Sequence, residues 1–588
     1  MNIILKILGV LVVCETVSSL LTPVVEISQG KLRGSRSLFG QNRYYNIPYA
    51  VAARFQKPKE PSKWHGIFDA IHSSLQLRCP QWRKFFVFGK EECLYLDVFS
   101  PEWATPRSKL PVMVYLHGGA YYMGAKNLYD PEFLVVKNTV VVTVNYRLGV
   151  LGFLCLNGIS NLGLRDQVAA LKWIQKNIAA FGGDTENVTL CGESAGASSA
   201  AFHLLSELSR GLFHKMILMS GTALSVWAFN QESTELAFKD ASKISEVNSD
   251  EDVFKVFTEA PLETLIKATK DTSVNPRYFK YSPCVDSHNP DPFFRDTPYN
   301  IMKSGNFNSV PVMMGFTESE GSYFYGLLDE SSVANLNDNF ADMIPSLFSW
   351  CPNNRQQVAT LLRSHYFGCG NITMNSVKNL VRFYSDWVAY AAILAFSKVL
   401  TKFSNQPVYN YLFAYEGDRE FAKIFIRDLK GPVHAGELFY IFKPFGISML
   451  LSTRDERFIV KFTTMMTNFM RYGNPTPKTS KLLPWPPATK NSSNIMVLDQ
   501  KLSVLKQPYK RHTGTTSVAM TVGAGSAGRG ARGSAAQKCG KVGEGTGAEG
   551  RSRHTPEELT GVRHARFHRR YPRHALELYI GQIYYNQL

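Results

Sequence analysis

Short apolar runs alternate with longer stretches of helical spacing through the first half of the chain. The runs at 111–117, 139–146, 187–193 and 215–220 have strand length. Their unbroken apolar character predicts strands buried on both faces. Between the second and third runs, residues 163–180 carry Ala, Leu, Ile and Gln with apolar positions three and four apart, which predicts a helix. Strands alternating with helices predict a mostly parallel sheet covered on both sides, an α/β architecture. Further strands are expected at 310–316 and 408–415, and helices at 377–403 and 455–471. The stretches 234–270 and 338–363 read as helical insertions, of the kind that build a gorge over a sheet.

The ends differ from this pattern. Lys6 lies in an apolar run from residue 3 to 13, followed by Ser18 and Ser19. That run is shorter than the roughly 18 to 20 apolar residues that span a bilayer, so residues 1–19 read as a signal peptide and the protein as secreted. The apolar stretch 387–400 is flanked by Asp386 and interrupted by Lys398, which fits an amphipathic helix and predicts no membrane span. Residues 20–512 form the expected folded domain. Residues 513–588 turn to Gly, Ala, Arg and Ser, and read as a disordered basic tail.

Charge and cysteine content refine this picture. Of the formal charge of +17, the part from Gly514 onward contributes eleven Lys/Arg against five Glu, and the remainder is spread along the chain. No nucleic-acid motif accompanies it, so no nucleic-acid partner is expected. Nine cysteines are present, and loss of Cys14 with the signal leaves eight in an oxidising compartment, where pairing is the default. Their count does not give their connectivity. Asn187, Asn371 and Asn491 each open an Asn-x-Ser/Thr sequon. Asn187 adjoins a strand, which leaves Asn371 and Asn491 as the expected glycosylation sites.

The candidate chemistry begins at Gly192-Glu193-Ser194-Ala195-Gly196, a G-x-S-x-G pattern where a strand ends and a helix should begin. A tight turn there holds a serine in a strained conformation with its hydroxyl exposed. By chance the pentapeptide would occur in roughly one chain in four of this composition, so its setting matters. Upstream, His117-Gly118-Gly119-Ala120 directly follows another strand. Its amides, with that of Ala195, could bind the oxygen that becomes negative as a carbonyl is attacked. The serine needs a histidine base oriented by a carboxylate. Glu320, at the end of a strand, and His434, on a Gly/Pro-marked loop, are candidates, although each could equally be a plain loop residue.

Seven blocks then point the same way: Ile47-Pro-Tyr-Ala50, Glu92-Cys-Leu-Tyr-Leu-Asp97, His117-Gly-Gly-Ala120, Asn145-Tyr-Arg-Leu-Gly149, Gly163-Leu-Arg-Asp-Gln167, Phe181-Gly-Gly-Asp184 and Glu320-Gly-Ser-Tyr-Phe324. With them the chain resembles the type-B carboxylesterase and cholinesterase family from about Pro23 to about Lys506, and within it the insect-type carboxylesterases. The resemblance implies an α/β-hydrolase with a large mixed, mostly parallel sheet and helical insertions. It implies Ser194, Glu320 and His434 as nucleophile, acid and base, and Gly118, Gly119 and Ala195 as oxyanion donors. It also implies a disulfide between Cys79 and Cys93, a small-molecule ester as substrate, and no need for a cofactor or metal.

Other positions are marked by the same resemblance. Trp227 stands where the family often has an acyl-pocket aromatic, although a core role is equally open, and Ser220 and Glu437 resemble residues that support the site. Trp82 is only three residues past Cys79, unlike the choline-binding tryptophan of acetylcholinesterases, so a cholinesterase is not expected. Two loops depart from the family pattern, at Val51-Ala-Ala53 and Ile159-Ser-Asn-Leu-Gly163. Glu193 matches general carboxylesterases, whereas juvenile hormone esterases often have glutamine there; hormone or odorant esters stay open as substrates. The rival reading is a catalytically weak sequestering, ligand-binding or adhesion-type member of the same fold, whose signature would be a broken triad or poor turnover.

Overall fold

The computed structural model describes residues 20–37, 39–74, 76–83, 86–156, 158–270, 279–343, 355–419, 431–444 and 452–506. The expected signal peptide (1–19) and basic tail (513–588) lie outside the described residues.

Twelve of the described strands form one mixed sheet. In chain order they begin with β1 (Leu20–Leu21), β2 (Ser35–Arg36), β3 (Gln41–Pro48), β4 (Tyr95–Pro101), β5 (Leu110–Leu116) and β6 (Val140–Val144). Then come β7 (Gly183–Glu193), β8 (Lys215–Met219), β9 (Val312–Thr317), β10 (Val408–Phe413), β11 (Ile495–Leu498) and β12 (Ser503–Leu505). Across the sheet the order is β1-β2-β3-β4-β6-β5-β7-β8-β9-β10-β11-β12. Neighbours run parallel from β6 through β11 and antiparallel at the two margins.

The parallel strands are apolar because both faces are covered. In β5, Val112, Val114 and Leu116 enter one core cluster while Met113 and Tyr115 enter the other, as the two-residue repeat of a strand requires. On the first side pack α1 (Leu162–Asn177) and α2 (Ala195–Leu205), the latter rich in Ala and Ser and buried along its length. Small side chains let α2 approach β7 and β8 closely. The insertion expected at 234–270 consists of three helices, α3 (Ser233–Ala241), α4 (Asp250–Glu259) and α5 (Leu262–Thr269). On the opposite side, α8 (Thr453–Tyr472) buries Phe458, Phe462, Met465, Met466 and Phe469.

Three features differ from the expectations. The helix predicted over 377–403 is α6 (Val377–Tyr384) and α7 (Ala391–Phe403) joined by a π-helical turn at Ser385–Tyr390. β3 and β4 were not anticipated, since β3 reads Gln-Asn-Arg-Tyr-Tyr-Asn-Ile-Pro and yet buries Gln41, Asn42 and Asn46. The third apolar run begins its strand four residues early, at Gly183. Among the described residues, no helix is long and apolar enough to cross a membrane. Cys79 is bonded to Cys93, as the family resemblance implied, and Cys155 to Cys284. Cys369 is also in a disulfide, and Cys191 is a buried free thiol.

Candidate active site

The chain enters the sheet centre at β5, moves to β6 on one side, and returns to β7 on the other. Such a reversal opens a crevice at the carboxyl ends of β5 and β7, the place where open α/β sheets bind ligands. His117 to Ala120 leave the end of β5, and Ser194 leaves the end of β7.

Ser194 has φ 55° and ψ −124°, a conformation costly for any residue with a side chain. Two backbone bonds hold it there: its N–H donates to the Met219 carbonyl (2.8 Å), and its own carbonyl accepts from Ser198 N–H (3.0 Å). The turn also requires Gly196, where a Cβ would lie 2.0 Å from the Leu116 carbonyl oxygen. Gly118 comes so near that a Cβ on it would stand 3.1 Å from Ser194 Cβ. The amides of Gly118 and Gly119 have no backbone acceptor among the described residues. Ala195 is the first residue of α2, where an amide has no intrahelical partner.

His117, given no role by its sequence, orders this loop. Its ring stacks on Tyr146 at 4.5 Å, its Nδ1 lies 2.9 Å from the Gly118 carbonyl oxygen, and its own carbonyl accepts from the Tyr146 hydroxyl at 2.6 Å. Burial pushes its imidazole down to about 4. It is therefore neutral and can donate Nδ1–H to the Gly118 carbonyl, which fixes that peptide.

Glu320 and His434 are 114 residues apart in sequence and 2.5 Å apart in space, Oε2 to Nδ1. The loops that carry them are joined by a parallel bridge between Ser319 and Val433, in which Ser319 N–H donates to the Pro432 carbonyl at 2.9 Å. His434 N–H donates to Ser322 Oγ (3.3 Å). Glu320 Oε1 accepts from the Thr317 amide (2.7 Å) and from Ser220 Oγ (2.6 Å). Ser220 Oγ is also 3.3 Å from Glu437 Oε1. One hydroxyl has one proton, so Glu437, whose carboxyl burial holds well above the usual range, can donate to Ser220 while Ser220 donates to Glu320.

The remaining ring nitrogen, Nε2 of His434, lies 3.2 Å from Glu193 Oε1. The Ser194 hydroxyl makes no hydrogen bond among the described residues. Burial raises the Glu193 carboxyl to about 7, against the pull of His434. Burial alone would likewise raise Glu320, but the His434 charge and the bonds from His434, Ser220 and Thr317 hold it below the ordinary carboxylate value. Burial disfavours a charged His434, yet the charges of Glu193 and Glu320 push it up to about 9. Three buried carboxyls around one imidazole thus divide into one firmly ionised group and two drawn toward their neutral forms, which limits the buried net charge.

The other predicted residues are placed as follows. Trp227 is 3% exposed in the core, its ring 5.3 Å from Phe279, which lines a cleft beside the glycine loop. Asn371 and Asn491 are exposed; Asn187 is half-buried, and its Oδ1 accepts from Lys215 Nζ at 2.6 Å. No group of three or more potential metal ligands is found among the described residues.

Comparison with known proteins agrees with this architecture. The family model described as "Carboxylesterase family" matches residues 21–516. Esterase FE4 of Myzus persicae is 30% identical over 514 residues, covering 82% of this chain and 89% of that protein. The juvenile hormone esterase of Tribolium castaneum is 32% identical over 507 residues, covering 77% and 84%. The crystal structure of juvenile hormone esterase from Manduca sexta, with OTFP covalently attached, superposes with a TM-score of 0.74 at 26% identity, covering 82% of this chain and 96% of that one. With an α/β-hydrolase sheet and a family match along nearly its whole length, the chain belongs to the carboxylesterase family and is a carboxylic ester hydrolase.

Proposed function

We propose that the protein is a secreted serine esterase that hydrolyses small-molecule carboxylic esters through an acyl-enzyme on Ser194. Ser194 Oγ attacks the ester carbonyl carbon and its proton passes to His434 Nε2. The carbonyl oxygen, now negative, is held by the amides of Gly118, Gly119 and Ala195. Collapse expels the alcohol, which takes the proton back from His434. Water then attacks the acyl group, giving its proton to His434, and the acid leaves as Ser194 recovers its hydrogen. Glu320 holds the Nδ1–H and stabilises the imidazolium.

The observation that carries this reading is the 2.5 Å Glu320–His434 contact through Nδ1, beside a serine on a strained turn. It supports Nε2 as the working side of the ring, since Nδ1 is occupied by Glu320. For Nε2 to engage Ser194, the imidazole must leave its 3.2 Å contact with Glu193; catalytic hydrogen bonds are often loose before substrate binds. Replacing Ser194 by Ala should lower kcat on a short-chain aryl ester by at least about three orders of magnitude. Near-wild-type turnover would remove Ser194 from the mechanism. Comparing the burst of released alcohol with the steady-state rate separates a turning-over esterase from a sequestering one, in which one equivalent is released and turnover then stalls.

Secretion fits the paired cysteines and the exposed sequons at Asn371 and Asn491. A second reading of the substrate is favoured by the juvenile hormone esterases among the similar proteins. Hydrolysis of a juvenile hormone ester, measured beside aliphatic and odorant-like esters, decides between them.

A further inference from the structure

A narrow cleft with about 60 Å³ of internal space adjoins the glycine loop. Ala120, directly after Gly119, forms part of its wall, with Trp82, Tyr122, Ile266, Phe279 and Lys270. One of its wall residues links it to the proposed catalytic histidine: the hydroxyls of Tyr122 and Tyr323 are 3.5 Å apart, and the Tyr323 ring lies 5.3 Å from the His434 imidazole. A substrate held at the crevice therefore has this cleft as the space for one of its ends.

The electrostatics of the cleft are one-sided. Among the described residues, no Asp or Glu lines it. Of its two lysines, Lys280 places Nζ 2.6 Å from the buried carboxylate of Asp240, which it shares with Lys243. Lys270, the residue directly after α5, is exposed and makes no ion pair among the described residues. Its Nζ lies 4.7 Å from the centre of the Trp82 ring, within range of a cation–π contact. The face of Trp82 that could receive a cationic ligand is thereby taken by the chain's own ammonium. That ammonium has only donors to offer, so it attracts an anion and repels a second cation.

We propose that Lys270, seated on Trp82, forms a subsite for a carboxylate at the end of the substrate remote from the scissile ester. The class of substrate is an ester with an apolar body and a terminal acid, and a quaternary ammonium at the same position is disfavoured. The assignment rests on the esterase reading above and names the substrate class for that site.

Three aryl esters of equal acyl length test it, ending in a carboxylate, a methyl group or a trimethylammonium group. Each charged ester's kcat/KM is divided by that of the neutral one. In the wild-type protein the carboxylate ester should exceed the trimethylammonium ester by about 25-fold at low ionic strength, because the two differ by two unit charges and each is worth about fivefold across a solvated cleft. The ratio should shrink as salt is raised. Lys270→Gln should bring it toward one, and Lys270→Glu should invert it. A ratio near one in the wild-type protein, or a ratio that neither substitution moves in variants of wild-type melting temperature, overturns the subsite while Ser194-dependent hydrolysis of the neutral ester leaves the esterase reading intact. Failure to hydrolyse all three esters overturns both.

Discussion

At the scale of single residues, the site is a balance between one strained serine and one surrounded histidine. The strain at Ser194, of order 1–3 kcal/mol for such a backbone, is locked in by neighbours that leave no room to relax, Gly196 against Leu116 above all. This part was legible in the sequence, because the glycine requirement is local and leaves a short pattern. Their own neighbours made Glu320 and His434 candidates only on a par with plain loop residues; their separation of 114 residues is closed by the fold, and the family resemblance is what raised them above that. His117 gave no signal, since nothing in the sequence says that its ring will stack on Tyr146.

The same balance predicts a pH dependence. The proposed mechanism needs the base form of His434, and its folded value is pushed up to about 9, so kcat/KM should rise with pH along a limb centred above the ordinary histidine value of about 6.5. Glu193→Gln removes the largest of the charges that raise His434, and the limb should move to lower pH. A limb that stays in place would show that Glu193 does not govern this proton.

At the scale of elements, the π turn between α6 and α7 braces the loop that carries Glu320. Ser385 Oγ accepts from Gly321 N–H (2.8 Å), and the Tyr390 hydroxyl lies 3.0 Å and 2.6 Å from the carbonyl oxygens of Thr317 and Glu318. Such turns recur at functional sites because the extra residue re-aims side chains that a regular helix would turn elsewhere. Helical periodicity predicted the length of the segment but not this break, which is met by partners at the end of β9 and on the loop after it, more than 60 residues earlier. Tyr390→Phe removes the bracing hydroxyl and should lower kcat/KM by about tenfold, the cost of roughly one hydrogen bond. A positioning role also requires the acid limb of the pH profile to shift downward as Glu320 loosens from His434. A lower melting temperature with an unmoved limb would make the hydroxyl merely structural.

At the scale of the whole molecule, the parallel half of the sheet was legible and the antiparallel margin was not. Strands covered on both faces leave unbroken apolar runs such as Val140-Val-Val-Thr-Val144, whereas β3 carries polar residues that become buried only through long-range partners, as when Asn46 N–H donates to Asp97 Oδ1 at 2.7 Å. The pairing of Cys155 with Cys284, across 129 residues, was equally beyond reach of spacing. Closing so long a loop restricts the unfolded chain, so replacing both cysteines by serine should destabilise the protein by about 2–5 kcal/mol. A thermal melt of the double variant reads this as a lowered Tm; an unchanged Tm would mean that packing alone holds the two segments together.

The whole account turns on which atom carries the acyl group. Intact-mass and peptide-mapping mass spectrometry after treatment with a serine-reactive organophosphate tests it most directly. One phosphoryl adduct per chain is expected, on the peptide containing Ser194, formed in step with loss of esterase activity and absent from Ser194→Ala. An adduct on another residue that accounts for the lost activity, or an unlabelled Ser194 in fully inhibited protein, would contradict the account.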